Sequence, residues 1–451
     1  MSGYAEYREV NLPWLKAVPA HWEIRRNKNI FTEQKEIVGE RSADYTLLSL
    51  TLNGIIPRDM DGGGKFPESF DKYKIVKNGD MAFCLFDIDE TPRTVGLSGY
   101  NGMLTGAYTI MRVSNINARF IYYYYLALDN GKMLRPLYTG LRKTININTF
   151  QSTKVPVPPR EEQDQIVRFL DWKVSNINKL INIKKKEIKA IDALKRSTVS
   201  HAITRGLTAD APMKYSGVKW LGDIPAHWKV TKLRQILHPV SEKNHPEFPL
   251  LSVVREQGVI LRDVEDKEAN HNFIPDDLSG YKVVRKGQFA MNKMKAWQGS
   301  YGVSDYTGVV SPAYFIFDIA FENLEYFHYA IRSKVYVNFF AQASDGIRVG
   351  QWDLQMDKMK EIPFIVPPAD EQIAIVKYIK QALPQYNVAI EKLTEEVAVL
   401  EEYKNKVIAD TVTGKIDVRG IEIPEYEFVD EDIDNADEVM EQGVNEPLEE
   451  E

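Results

Sequence analysis

Residues 158–206 read PPREEQDQIVRFLDWKVSNINKLINIKKKEIKAIDALKRSTVSHAITRG, and apolar side chains recur in this stretch in alternating steps of three and four. The steps fall on Val167, Leu170, Val174, Ile177, Ile181, Lys184, Ile188, Ile191, Lys195, Thr198 and Ala202, of which eight are apolar. This rhythm is typical of a helix that buries one stripe against a partner helix. It predicts a single helix of about 65 Å if unbroken.

A second stretch, residues 367–414, repeats the rhythm 209 residues later. Its positions are Val376, Ile379, Leu383, Tyr386, Ile390, Leu393, Val397, Leu400, Lys404, Val407 and Thr411, of which nine are apolar. Because neither stripe can face water, the two copies are expected to pack as an antiparallel coiled coil. The predicted seam consists of Val174, Ile177, Ile181, Ile188, Ile191, Leu383, Ile390, Leu393, Val397 and Leu400. The alternative is that each helix packs only on its own globular domain.

The ends of both helices carry matching signals. Each begins after a Pro-Pro pair with acidic residues in its first turn, which suits a helix N-terminus, and Gly206 and Gly414 end them. Pro384 lies inside the second helix, and Ser175-Asn176 lies at nearly the same place in the first. A proline removes a helical hydrogen bond and Ser is a good N-cap, so we expect a break near both positions.

The rest of the chain is also duplicated. VPAHW at 18–22 returns as IPAHW at 224–228, and GIIPRD at 54–59 returns as GVILRD at 258–263. Each half holds short β-type runs broken by Gly, Asn, Asp and Pro, with helical patches between them. The sequence therefore predicts an α+β protein with a pseudo-two-fold internal repeat, in which two mixed α/β domains are separated by the long helices.

The composition is that of a folded protein with an acidic end. The net charge is −7, yet residues 424–451 hold thirteen Asp or Glu and no Lys or Arg, so residues 1–423 carry +6. We expect this acidic end to be a disordered tail. No apolar run is long enough to cross a membrane, which favours a cytoplasmic protein. The only cysteine, Cys84, is expected to be a small buried apolar residue.

Motifs for catalysis were sought without success. No GxxxxGK[ST] phosphate loop occurs, and neither Pro-Pro pair follows the Asn or Asp that adenine methylation needs. The seven His are scattered without metal-ligand spacing, so no catalytic or metal-binding residue is predicted. His21 and His227, in equivalent PAHW turns, are expected to be structural. A self-sufficient DNA methyltransferase is therefore disfavoured.

Three motifs carry a family resemblance. They are KYSGVKWLGDIPAHW at 214–228, the two Pro-Pro-x3-Gln helix starts, and TGKIDVR at 413–419. With these motifs the chain resembles the specificity subunits of Type I restriction–modification systems. The resemblance covers the chain from about Trp14 to Gly420. It implies two target-recognition domains that each read half of a bipartite DNA site, and helices that set the half-site spacing and dock two methyltransferase subunits. It also implies two restriction/translocase subunits. S-adenosylmethionine, ATP and Mg²⁺ are expected on those partners and no cofactor in this chain.

The predicted segments follow from the repeat and the resemblance. They are a target-recognition domain at 1–157 (the first domain), a spacer helix at 158–206, a target-recognition domain at 207–366 (the second domain), a spacer helix at 367–420 and the acidic tail at 421–451. The predicted function is non-catalytic recognition of an asymmetric double-stranded DNA site. The alternative is a coiled-coil scaffold for proteins that does not read DNA.

DNA contacts are expected from basic, amide and aromatic residues on glycine-bearing loops at matching places in both halves, since such side chains bind phosphates and base edges. The candidates are Lys65, Arg93, Arg142 and Lys143 in the first domain, and Asn292, Lys293, Lys295, Trp297, Gln298 and Arg348 in the second. For each of them the alternative is an ordinary solvated surface residue, and for Trp297 a core position.

Overall fold

The computed structural model describes residues 2–58, 67, 69–138, 140, 143–263, 275, 277–348 and 351–431. The chain divides into two compact units, Met1–Glu187 with Leu393–Glu451 (the first unit) and Ile188–Lys392 (the second unit). Each unit contains one globular domain and a segment of both long helices, so the units differ from the five predicted segments by dividing each helix.

The first unit is built from short antiparallel strands, two helices of its own and a segment of each long helix. Its strands are β1 (Tyr7–Leu12), β2 (Leu15–Pro19), β3 (Glu23–Arg26), β4 (Phe31–Gln34), β5 (Leu48–Thr51), β6 (Gly54–Pro57), β7 (Lys74–Val76), β8 (Asp80–Phe83), β9 (Val95–Leu97), β10 (Gly102–Leu104), β11 (Thr109–Val113) and β12 (Lys154–Val157). Its helices are α1 (Ala118–Asn130), α2 (Ile147–Ser152), the first part of α3 (Arg160–Arg205) and the last part of α7 (Ala369–Val412). Short 3-10 turns span Asn27–Asn29, Gly39–Asp44 and Arg135–Leu137. A four-stranded sheet of order β4-β11-β8-β9 is accompanied by the pairs β1-β2, β3-β12, β5-β6 and β7-β10.

The second unit repeats this plan. Its elements are the last part of α3, β13 (Met213–Tyr215), β14 (Asp223–Pro225), β15 (Lys229–Lys232), β16 (Leu237–Val240), β17 (Leu251–Val254), β18 (Gly258–Leu261), β19 (Lys282–Val284), β20 (Phe289–Asn292), β21 (Tyr301–Val303), β22 (Gly308–Val310), β23 (Tyr314–Ile319), α4 (Leu324–Ile331), α5 (Lys334–Gln342), β24 (Ser344–Arg348), β25 (Gln351–Leu354), α6 (Met356–Lys360), β26 (Pro363–Val366) and the first part of α7 (Ala369–Val412), with 3-10 turns at Leu233–Gln235 and Ala296–Gln298. The sheet order β16-β23-β20-β21 and the pairs β13-β14, β15-β26, β17-β18 and β19-β22 match the first unit strand for strand, and β24-β25 is an additional hairpin. The predicted α+β class with an internal repeat is confirmed.

Both long helices are continuous, so the predicted breaks are wrong. Helix α7 runs through Pro384 without ending. Proline has no N–H, so the carbonyl of Lys380 has no helical hydrogen-bond donor at position 384. Both residues are exposed, and water can donate to that carbonyl instead. Ser175 does not cap a new helix, because its hydroxyl donates to the carbonyl of Glu427.

The two helices pack antiparallel through the seam. Every position of the three–four pattern in both helices is buried or half-buried. In the first unit Lys184 pairs with Glu396, and Lys404 lies 3.4 Å from the amide oxygen of Asn178, so numbers rise along α3 as they fall along α7. In the second unit the hydroxyl of Thr198 on α3 lies 3.0 Å from that of Tyr386 on α7. The helices therefore pack on each other as well as on the domains.

The acidic end is ordered where the structure describes it. Residues 421–431 lie along α3 in the first unit, and the amide of Gln165 donates to the carbonyls of Val418 and Ile421 at 3.0 and 2.7 Å. The prediction of a disordered tail is thus wrong for residues 421–431, because main-chain atoms of this segment find polar partners on the helix. Residues 432–451 lie outside the described part.

Candidate nucleic-acid interface

A buried glutamate joins the start of α3 to the first domain. Glu162 is 5% exposed, and its carboxylate accepts hydrogen bonds from Tyr4 Oη at 2.6 Å and Trp22 Nε1 at 2.9 Å. His21 Nε2 lies 2.7 Å from the same carboxylate. The acidic group also suits the positive end of the helix dipole. We call this set, Glu162 with Tyr4, His21 and Trp22, the N-terminal clamp.

The second unit repeats the clamp at the start of α7. Glu371 accepts from Trp228 Nε1 at 2.9 Å and pairs with His227. The two histidines of the PAHW turns are therefore structural. The glutamine of each Pro-Pro-x3-Gln motif also acquires a role, since Gln163 and Gln372 each donate to the carbonyl of the first proline, at 2.8 and 2.9 Å. These contacts fix each long helix to the domain that precedes it.

The C-terminal end of each long helix contacts a PAHW turn: α7 contacts the turn that contains Trp22, and α3 contacts the turn that contains Trp228. Gly414, which ends α7, adopts a left-handed φ of +77°, and a Cβ built on it would lie 2.4 Å from Pro19. Gly206, which ends α3, has a φ of +72° and lies against Trp228. Only glycine combines this backbone with so close an approach. Each domain is therefore anchored to one helix start and to the other helix's end.

In the first domain, residues 84–94 connect β8 to β9 and form what we call the first reading loop. The carbonyl of Leu85 accepts from the main-chain N–H of Ile145 at 2.7 Å, which brings the loop beside residues 135–145. Asp89 in this loop accepts from Tyr138 Oη at 2.9 Å and Arg135 Nε at 3.0 Å. Desolvation raises the pKa of Asp89, but these hydrogen bonds outweigh it and hold that pKa below its ordinary value.

Two of the predicted contacts in the first domain are engaged with carboxylates. Arg93, with its side chain 16% exposed, pairs with the buried Asp129 at 3.3 Å, a geometry typical of a structural ion pair. Lys143 lies 3.1 Å from Glu90 and is one-third exposed, at the rim of the first reading loop. Lys65 and Arg142 lie outside the described residues. DNA contact by these four residues stays a prediction.

In the second domain, residues 293–300 connect β20 to β21 and form the second reading loop. The main-chain N–H of Leu354 donates to the carbonyl of Lys293 at 3.2 Å, and the ring of Trp297 packs on Trp352 with centroids 5.4 Å apart. These contacts place the loop beside the β24-β25 hairpin, whose strand β24 ends at Arg348. The structure thereby brings two separate groups of predicted residues into one region.

The remaining predicted residues of the second domain lie on or beside this loop. Lys293 pairs with Asp353 at 3.1 Å, and Asn292 donates to Tyr314 Oη at 3.3 Å. Lys295 is exposed and Gln298 is half-buried. Trp352 was missed by the sequence reasoning, although an aromatic residue beside a basic hairpin is a usable signal. The indole nitrogen of Trp297 is buried without a hydrogen-bond partner in the described structure.

The two reading loops occupy equivalent places but differ in charge. The first carries Asp87, Asp89 and Glu90, whereas the second carries Lys293 and Lys295. Because acidic side chains accept from base amino groups while basic ones donate to phosphates and guanine, loops of this kind suit different DNA sequences.

The described residues also include the side chains that commonly bind metal ions or act as nucleophiles. In the described ranges, no group of three or more His, Cys, Asp or Glu is placed to hold a metal ion. Cys84 is buried, and burial raises the pKa of its thiol to about 11, so it is a neutral thiol at pH 7. Within those same ranges, no helix combines the length and the hydropathy needed to cross a membrane.

Comparisons with known proteins agree on one family. The model of the Type I restriction modification DNA specificity domain matches residues 70–190. The Type I restriction enzyme MjaVIII specificity subunit of Methanocaldococcus jannaschii is 24% identical, over 92% of this chain and 98% of the relative. The putative type I restriction enzyme MjaX specificity subunit of the same organism is 23% identical, over 89% and 95%.

A solved structure supports the fold independently. It concerns complex assembly and conformational transition of the type I R-M system, and the matching chain has a TM-score of 0.57 at 13% identity. The match covers 88% of this chain and 99% of that one. At this identity the likeness shows the fold alone.

Proposed function

We infer that this chain, which belongs to the specificity subunits of Type I restriction–modification systems, recognises a DNA target and performs no catalysis itself. The observation that carries the proposal in detail is the pair of equivalent domains with one sheet order and unlike reading loops. Identical frames with different contact residues suit the reading of two different sequences. The target is therefore a bipartite, asymmetric site in double-stranded DNA.

Each domain reads one half of the target. The second reading loop supplies Lys295 and Gln298 to base edges and Lys293 to phosphates, while Trp297 gives the loop a rigid aromatic base. In the first domain Lys143 is the candidate beside the loop. Arg93 acts as a support for the loop, since its partner Asp129 is buried.

The helix pair serves as spacer and docking platform. A two-helix rod of fixed register holds half-sites at a fixed separation, as dimeric DNA-binding proteins do with half-sites about one helical turn apart. Large apolar side chains also remain exposed on the outer faces of the helices, namely Leu180, Ile183, Leu194, Val388 and Val399. Exposed apolar surface of this kind is typical of sites that bind other proteins.

The partners on this platform are two methyltransferase subunits, joined by two restriction/translocase subunits. In this assembly the partners carry S-adenosylmethionine, ATP and Mg²⁺, methylate adenine at N6 and cleave DNA, in the cytoplasm of a prokaryote. This chain recognises the DNA sequence at which those partners act. What supports the proposal is the family likeness over nearly the whole chain.

Methylome mapping tests the proposal. Cells with the intact gene should carry N6-methyladenine at one split motif, and deletion should remove that methylation. Replacing residues 20–155 with the corresponding residues of another member should change one half of the motif and leave the other half and the gap intact. An unchanged methylome after deletion would favour the coiled-coil scaffold, and a change in both halves would contradict separate readers.

A further inference from the structure

The C-terminal segment, residues 421–431, is bound to α3 through its main chain. Ser175 Oγ donates to the carbonyl of Glu427 at 3.0 Å and accepts from the N–H of Val429 at 2.7 Å. Asn178 Nδ2 donates to the carbonyl of Val429 at 3.2 Å, and Asn182 Nδ2 donates to that of Asp430 at 2.9 Å. Four hydrogen bonds thus hold three residues of the segment, Glu427, Val429 and Asp430.

The three helix residues form a ladder on one face. Positions 175, 178 and 182 are spaced by three and four, so their side chains project in the same direction along the helix. Ser175 and Asn178 are buried, at 1% and 5% exposure. A row of hydroxyl and amide groups whose donors bond to main-chain carbonyls is suited to an extended peptide, because such a peptide presents its own N–H and C=O groups to the row.

The far end of the segment is held by charge. Glu431 accepts from Lys185 at 2.8 Å on α3 and pairs with Lys404 on α7. Although desolvation raises it, the hydrogen bonds from these two lysines hold the pKa of Glu431 below its ordinary value. One carboxylate therefore connects both helices within the first unit. The segment contains five acidic residues and no basic one, which complements these lysines.

The repeat shows that this ladder belongs to the first unit. The positions 209 residues later on α7 are Pro384, Asn387 and Glu391, and all three are exposed. A proline stands where Ser175 bonds the segment, and a carboxylate stands where Asn182 donates. The duplicated helix thus keeps one of the three ladder donors, at Asn387, and lacks the other two, so the complete ladder is not a general feature of the coiled-coil frame.

We propose that this face of α3 is a binding site for an extended acidic peptide, and that residues 421–431 of the same chain occupy it as a clasp that ties α3 to α7. The clasp closes in cis and fixes the register of the helix pair from outside the apolar seam. It acts independently of DNA reading, and its opening uncovers the ladder.

Hydrogen–deuterium exchange on the full chain tests the clasp. The amide of Val429, whose N–H donates to Ser175 Oγ, should be protected at pH 7. Replacing the ladder by S175A/N178A/N182A should speed its exchange on the order of tenfold or more, because each lost hydrogen bond is one that closes the segment. The matched control is N387A/E391A, at equivalent positions of α7, and it should leave the segment's exchange unchanged.

A second variant opens the clasp from the segment's side. Val429→Pro removes the N–H that bonds to Ser175 and should also release the segment, seen as faster cleavage after Glu425 by a glutamyl endopeptidase, whereas Val429→Ala keeps that N–H and should leave the cleavage rate unchanged. Peptides from β8 and β11 report whether the first unit stays folded; if the ladder variant unfolds it, Val429→Pro decides. Exchange of the Val429 amide at the rate of an unstructured peptide in the wild type, or no effect of Val429→Pro on the cleavage rate, would overturn the proposal. Protection that increases with protein concentration would also contradict it, since docking would then be on a second copy.

Discussion

Removing the Glu162 carboxylate should lower the stability of the first unit more than removing the equivalent Glu371 carboxylate lowers that of the second unit. In Glu162→Ala the buried donors Tyr4 Oη and Trp22 Nε1 lose their acceptor. A buried donor left unsatisfied costs about 1–3 kcal/mol, and bonds to a carboxylate lie toward the upper end, so we expect a loss of about 3–5 kcal/mol. The equivalent Glu371 is 32% exposed, so water can replace its carboxylate in Glu371→Ala. We therefore expect the free energy of unfolding of the second unit to fall by about 1–2 kcal/mol.

Native-state hydrogen exchange measures both losses, because it reports each unit separately in a chain that need not unfold in one step. Exchange in β8 and β11 should speed up about a hundredfold or more in Glu162→Ala, since about 1.4 kcal/mol corresponds to a factor of ten. Glu161→Ala is the matched control, because Glu161 is the exposed neighbour in the same helical turn. Equal effects of Glu162→Ala and Glu161→Ala, or less than a tenfold change, would refute the role of the clamp.

Three further predictions follow from single residues. Burial lowers the pKa of His328 to about 4 from its ordinary 6.5. The free energy of unfolding of the second unit should therefore fall by up to about 3 kcal/mol as pH falls from 6.5 towards 4. Urea titrations at several pH values should show a weaker pH dependence for His328→Asn than for the wild type. Gly414→Ala places a Cβ 2.4 Å from Pro19 at a left-handed φ and should destabilise the first unit by about 2 kcal/mol or more, seen as a lower Tm. Trp297→Ala should weaken binding to the specific DNA about tenfold in a titration at fixed salt. The control is Trp220→Ala, at a residue 69% exposed, which should leave the affinity unchanged. Equal effects of the two variants would show that the second reading loop does not contact DNA.

The helix architecture could be predicted because its signals are local and periodic. An apolar stripe of period three and four must be buried wherever the helix lies, and the shared register in two copies indicated mutual packing. Gly206 and Gly414 ended the helices as predicted, because a left-handed residue after a helix favours glycine. Pro384 misled the same reasoning, since an exposed proline costs one hydrogen bond without ending a helix that neighbouring packing stabilises.

The sequence by itself thus determined the repeat and the two long helices with their seam, which follow from spacing along the chain, and the resemblance to one family, which follows from its motifs. Tertiary structure alone decided the rest. The bond from Trp22 to Glu162 spans 140 positions, and that from Ser175 to Glu427 spans 252. Such contacts depend on which main-chain atoms and buried carboxylates folding brings together. The same reason explains why Arg93 could be recognised as a candidate cation but not as the partner of a buried Asp129.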